Sequence, residues 1–121
     1  MKNNSEHRRY EAGDWREDAV NAWWARLYVG GNLQAAEMVC RAACFPKGLC
    51  VTIEPTTYIF AGGSEPGVCI GFIQYPPFPE EVATLRQKAI DVGRAVAEAC
   101  YQWSFSIVTP GEIVYLSRRR S

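Results

Sequence analysis

The spacing of apolar residues along this chain changes period twice, and each change marks an expected element. Asp14 and Glu17 have the form of a capping box, and Val20, Trp23, Trp24 and Leu27 follow at i, i+3, i+4 and i+7. That spacing predicts a first helix over 15–29, ended by Gly30-Gly31. Asn32 suits the cap of a second helix with the stripe Leu33, Ala36, Val39, Cys40, Ala43 and Cys44, while Glu37 and Arg41 pair at i, i+4 on its other side. Together these predict a helical hairpin that stops near Pro46 and Gly48.

The period then falls to two. Leu49, Val51 and Ile53 alternate with Cys50 and Thr52, which predicts a strand interrupted by Glu54-Pro55. A second strand over 57–61 and a third from Val68 to Tyr75 lie either side of the Gly/Pro-rich loop 62–67, making an antiparallel meander. Tyr75-Pro76-Pro77-Phe78-Pro79 is too rich in proline for a sheet interior, whereas Pro79 before Glu80 and Glu81 suits the first turn of a helix. That third helix carries the stripe Val82, Leu85, Ala89, Val92, Gly93, Val96, Cys100 and Trp103, in which Gly93 reads as a point of close approach to the sheet. Two last strands, Ser104 to Thr109 and Glu112 to Ser117, flank the turn dipeptide Pro110-Gly111.

The expected fold is α+β, in the order α-α-β-β-β-α-β-β, with a five-stranded mixed or antiparallel sheet, a helical hairpin and one long packing helix. The third strand is apolar at both parities and so asks for a cover on each face. Either the helical hairpin supplies the second cover or a second copy does. The expectation is a homodimer with two-fold symmetry that buries Tyr75, Ile73 or the Trp24 edge.

At 121 residues the chain fits one domain, expected over 14–117, with a polar leader over 1–13 and a basic tail over 118–121. Thirteen basic residues balance thirteen acidic ones, so no global field favours nucleic acid or an anionic membrane, and neither is an expected partner. No apolar run approaches the ~20 residues of a membrane span, and the charged opening lacks the hydrophobic segment of a signal peptide, which predicts a cytoplasmic location. The five cysteines are odd in number, and Cys40, Cys44 and Cys100 fall on apolar stripes, as reduced thiols do. The spacing Cys40-x3-Cys44-x5-Cys50 lacks a CxxC knuckle, so no metal and no other cofactor is expected.

Candidate chemistry is sparse. The one histidine, His7, lies in the leader, where it offers no fixed imidazole for a serine or cysteine triad or a zinc hydrolase site. The loop 62–67 has neither GxxxxGK[ST] nor GxGxxG and leads into a strand, so it is not a phosphate loop. Glu54-Pro55-Thr56-Thr57-Tyr58 sets a carboxylate, two hydroxyls and a phenol at one strand junction, yet no second carboxylate is tied to it by spacing. Four tryptophans and eleven further aromatics point to a binding edge at Trp24. These features predict a non-enzymatic interaction protein, an adaptor or inhibitor of a host or phage component. The alternative is a small-molecule-binding domain or weak enzyme, its pocket between sheet and helical hairpin lined by Glu54, Tyr58, Gln74, Tyr75 and Trp103.

The stretch from Ile53-Glu54-Pro55-Thr56-Thr57-Tyr58 through Gly62-Gly63 to Gly71-Phe72-Ile73-Gln74-Tyr75-Pro76-Pro77-Phe78-Pro79, with Leu116-Ser117-Arg118-Arg119 at the end, resembles small uncharacterised accessory proteins of bacteria, phages and mobile gene cassettes. The resemblance implies the product of a mobile gene that acts on something the host supplies.

Overall fold

A computed structural model describes residues 8–45 and 49–118. Its elements run β1 (Arg8–Ala12), β2 (Trp15–Ala19), β3 (Trp24–Gly30), α1 (Leu33–Cys44), β4 (Val51–Phe60), β5 (Gly63–Ile73), α2 (Val82–Ala99), β6 (Ser104–Thr109) and β7 (Glu112–Ser117). The fold is α+β, and its main sheet has five strands in the order β4-β5-β3-β6-β7, every neighbouring pair antiparallel. The segment from β3 to β6 has the βαββαβ order of a ferredoxin-like unit, which β7 extends by one hairpin.

The expected first helix over 15–29 is replaced by two strands, β2 and β3, with 20–23 between them in neither. Ala25, Leu27 and Val29 are buried while Trp24, Arg26 and Tyr28 point the other way, a period of two that shares Leu27 with the helical pattern. Flanking strands on both sides settle the competition. Trp24 to Gly30 pairs with Ile73 to Gly67, and Arg26 to Tyr28 pairs with Val108 to Ser106, so β3 is a central strand rich in residues that suit a pleated sheet. Asp14 lies in the turn of a separate two-stranded sheet, β1 with β2, beside Gly13 at φ 61°. Arg8–Ala12 therefore forms a strand within the stretch expected as leader, while His7 lies outside the described residues.

The expected three-stranded meander over 49–75 is a single long hairpin. β4 continues through Pro55 because it is an edge strand, where a missing backbone N–H leaves no ladder bond unmade. The pairing runs from Val51 opposite Phe72 to Phe60 opposite Gly63, and only Ala61-Gly62, with Gly62 at φ 92°, makes the turn. Much of the stretch expected as loop 62–67 is thus strand.

The remaining elements stand where their patterns place them. Asn32 accepts a hydrogen bond from the Ala35 amide at 3.0 Å and caps α1. The stripe of α2 is buried at Leu85, Ala89, Val92, Gly93 and Val96, although Cys100 and Trp103 fall beyond the helix end. A Cβ at Gly93 would run into the Phe105 ring of β6, so glycine lets α2 lie directly on the sheet. β6 and β7 meet across Pro110-Gly111. The expected stops at Pro46 and Gly48 lie outside the described residues, as do Arg119 and Arg120.

With 15–19 and 24–30 in strands, the described residues form no helical hairpin. α1 and α2 instead pack together on one face of the sheet, over Leu27, Val68, Ile70, Phe72 and Ile107. No helix among the described residues covers the opposite face. Among the described residues no helix is long and apolar enough to cross a membrane.

Candidate functional site

Alternation decides which side chains reach the uncovered face. On β3 these are Trp24, Arg26 and Tyr28, and pairing aligns them with Ile73, Gly71 and Cys69 on β5 and with Thr52 and Glu54 on β4. Gly71 makes room for Thr52, whose Oγ1 would stand 2.5 Å from an added Cβ. A cleft of about 560 Å3 opens here, with walls that include Trp24, Arg26, Thr52, Glu54, Cys69 and Ile73. The Arg26 guanidinium sits 5.9 Å from the centre of the Trp24 ring, which is 38% exposed. One cleft thus presents a flat aromatic surface, a cation, a carboxylate and a hydroxyl.

Tyr58 lies further along the same face. Its hydroxyl donates to the Val68 carbonyl at 2.8 Å, and its ring occupies the space a Cβ on Gly67 would need. Burial, then the neighbouring Cys69, pushes the phenol up to about 12, against a smaller lowering by the Val29 backbone. Burial likewise raises the Cys69 thiol, opposed by a hydrogen bond with Tyr28. Both groups remain protonated, and therefore neutral, near pH 7.

The six residues named from sequence do not form one pocket. Trp24 and Glu54 share the cleft, and Tyr58 follows them along the sheet. Gln74 is 4% exposed and fully occupied in structure: its side chain donates to the Glu80 carbonyl at 2.7 Å, accepts from the Glu80 amide at 2.8 Å, and so pins the proline-rich connection. Tyr75 lies in that connection with its ring 6.0 Å from Phe78. Trp103 lines a different cavity, beyond the end of α2. Arg26, Thr52 and Cys69 were missed. A helical reading of 15–29 hides Arg26 on a polar face, whereas the alternation Trp24-Arg26-Tyr28 would have set it beside the indole.

Among the described residues, no group of three or more histidines, cysteines or acidic residues is placed to hold a metal ion. Cys40, Cys44 and Cys50 do line one shallow cavity, and burial raises the Cys40 thiol to about 11.

Topology and open face together define an α+β protein of ferredoxin-like plan with a cleft on the sheet face away from its two helices. No family model matches the sequence and no curated protein does. Two solved structures share the fold. A phage SAM lyase in the apo state aligns over 82% of this chain and 91% of its own, at a TM-score of 0.64 and 16% identity. A phage SAM lyase in complex with S-methyl-5'-thioadenosine aligns over 79% and 89%, at a TM-score of 0.56 and 16% identity. The likeness extends to nearly the whole length of those chains. It corrects the expectation of a non-enzymatic adaptor or inhibitor, with protein binding as its activity, because both solved structures that align here are of a phage SAM lyase, an enzyme, one of them holding S-methyl-5'-thioadenosine.

Proposed function

We propose that this chain binds S-adenosylmethionine in the open-face cleft and cleaves it as a lyase. The observation that carries this reading is the convergence of Trp24, Arg26 and Glu54 in one cleft, on a fold matched over 91% of a SAM lyase. The substrate carries an adenine ring, a sulfonium, an ammonium and a carboxylate. An indole complements the adenine or the sulfonium, a carboxylate the cationic groups, and a guanidinium the substrate carboxylate. The small-molecule alternative read from sequence survives in this form, with the cleft on the sheet face away from both helices.

The chemistry asks little of the protein beyond placement and charge. Breaking the bond between sulfur and the γ-carbon sends its electron pair to sulfur, so S-methyl-5'-thioadenosine departs as a neutral thioether that needs no proton. The four-carbon remainder closes on itself as its own carboxylate oxygen bonds to the γ-carbon that sulfur leaves, so a lactone forms with no proton moved and no water entering. A site of this kind needs no imidazole, which is why a lone histidine in the leader does not exclude it. Arg26 is assigned to the carboxylate, Glu54 to the cationic centre and Trp24 to the adenine or sulfonium.

The homodimer expected from sequence belongs to the same face. A second copy would pack against Tyr75, Ile73 or the Trp24 edge, which are 39%, 56% and 38% exposed, and so set the cleft at the seam between the two copies. A solution mass of 13.6 kDa by light scattering would remove that part of the reading.

The direct experiment incubates the purified chain with S-adenosylmethionine in isotopically labelled water and follows the products by mass spectrometry. The expected result is S-methyl-5'-thioadenosine and an unlabelled four-carbon partner, reduced about tenfold or more by Glu54→Gln, equivalent to ~1.4 kcal/mol of barrier. Unchanged substrate, with no thermal shift on its addition, would sink the proposal.

A further inference from the structure

We propose that the cavity beyond the end of α2 is a second ligand site, for a nucleoside monophosphate. The cavity measures about 590 Å3 and lies between α2, the β6 entry and β7. That size falls within the ~300–1,000 Å3 usual for small-molecule sites. Its walls include two aromatic rings, Trp103 and Tyr115, which are 56% and 62% exposed. They also include two guanidiniums, Arg94 and Arg118, and one carboxylate, Glu98.

Arg118 is held in place, although it stands at the start of the basic tail. Its backbone amide donates to the Trp103 carbonyl at 2.8 Å, its Nη2 donates to the Gln102 carbonyl at 2.7 Å, and its guanidinium carbon stands 5.1 Å from the centre of the Trp103 ring. Ring and cation are therefore ordered together as one surface. Among the described residues, neither Arg94 nor Arg118 meets a carboxylate within ion-pair distance. Two guanidiniums outside ion-pair distance of any described carboxylate, against the single Glu98 in the same wall, leave it net positive, and beside exposed rings they fit a ligand that is both anionic and flat. A nucleoside monophosphate meets that description, with its base against Trp103 and its phosphate on Arg94 and the remaining donors of Arg118. The net positive wall disfavours a sulfonium carrying an ammonium, so the site is distinct from the Glu54 cleft and does not depend on what binds there.

Calorimetric titration of the full chain with adenosine monophosphate and with adenosine tests the assignment. The monophosphate is expected to bind at least about tenfold more tightly than the nucleoside, with affinity falling as salt is added. Arg94→Gln, an exposed substitution on α2, and Trp103→Leu should each weaken it about fivefold or more while circular dichroism stays unchanged, and Glu54→Gln should leave it as it is. Equal binding of both ligands, binding of neither, or indifference to Arg94→Gln would overturn the proposal. Tighter binding of a single-stranded oligonucleotide than of the monophosphate would also overturn it, and would make this a strand-binding surface instead.

Discussion

The Tyr58 hydroxyl donates to the Val68 carbonyl at 2.8 Å only because Gly67 has no side chain where the phenol ring crosses β5. An added Cβ would also stand 2.7 Å from the Val29 carbonyl of β3, so the glycine serves both neighbours of that strand. Gly67→Ala is expected to push the ring away and destabilise the fold by about 1–3 kcal/mol through overpacking. Tyr58→Phe keeps the ring and removes the hydrogen bond, at ~0.5–1.5 kcal/mol. Denaturant unfolding of the two variants checks the order, and a Gly67→Ala variant as stable as the parent would mean the ring has another resting place.

The same phenol gives a pH signature. Burial raises its folded pKa to about 12 from an ordinary 10.0. Folding therefore favours the protonated form, and the stabilisation is fully present below pH 10 and lost as pH rises towards 12. Following phenolate absorbance against pH should reveal a late-titrating tyrosine that disappears in Tyr58→Phe. Complete phenol ionisation near pH 10 in the folded protein would contradict the buried position.

Thiol reactivity should be graded. Burial raises the Cys40 thiol to about 11, with Cys44 and then Glu37 adding to it, and burial also raises Cys44. Cys50 is exposed. Alkylation of the folded chain at neutral pH should modify Cys50 well before Cys40, because the thiolate is the nucleophile. Peptide mapping by mass spectrometry reads the order, and early labelling of Cys40 would show that α1 opens from the sheet.

Gly93 tests the contact between helix and sheet. Gly93→Leu should cost about 1–3 kcal/mol, since the side chain would meet the Phe105 ring. At an exposed helical position the same change would instead bring a gain approaching ~1 kcal/mol through helix propensity. Thermal denaturation distinguishes the two signs.

The cleft makes its own demand on β3. Trp24→Ala removes an aromatic wall that is already partly exposed, so it should weaken S-adenosylmethionine binding about tenfold while costing the fold little. Arg26→Gln should impair binding of S-adenosylmethionine more than that of S-methyl-5'-thioadenosine, which has no carboxylate for the guanidinium to hold. Equal losses for both ligands would place Arg26 against the nucleoside instead.

Several elements follow from short stretches of sequence because their causes are local. Asn32 and the stripe beginning at Leu33 are enough to start α1, the stripe around Gly93 turns α2 onto its partner, and Pro110-Gly111 joins two alternating runs into a hairpin. The α+β class follows from those patterns, whereas the count of five strands agrees only because Glu54-Pro55 reads as a break that divides β4 in two while β3 reads as helix. Residues 15–29 behave otherwise, for Leu27 satisfies both a 3.6-residue and a two-residue period, and the choice falls to strands β5 and β6, which lie some forty and eighty residues later in the chain. Pro55 stays in a strand only because β4 takes the sheet edge, a fact of strand order that no neighbouring residue encodes. The cleft has the same origin. Trp24, Arg26 and Glu54 come from strands on either side of β5, and they meet because antiparallel register sets them on one face while both helices close the other.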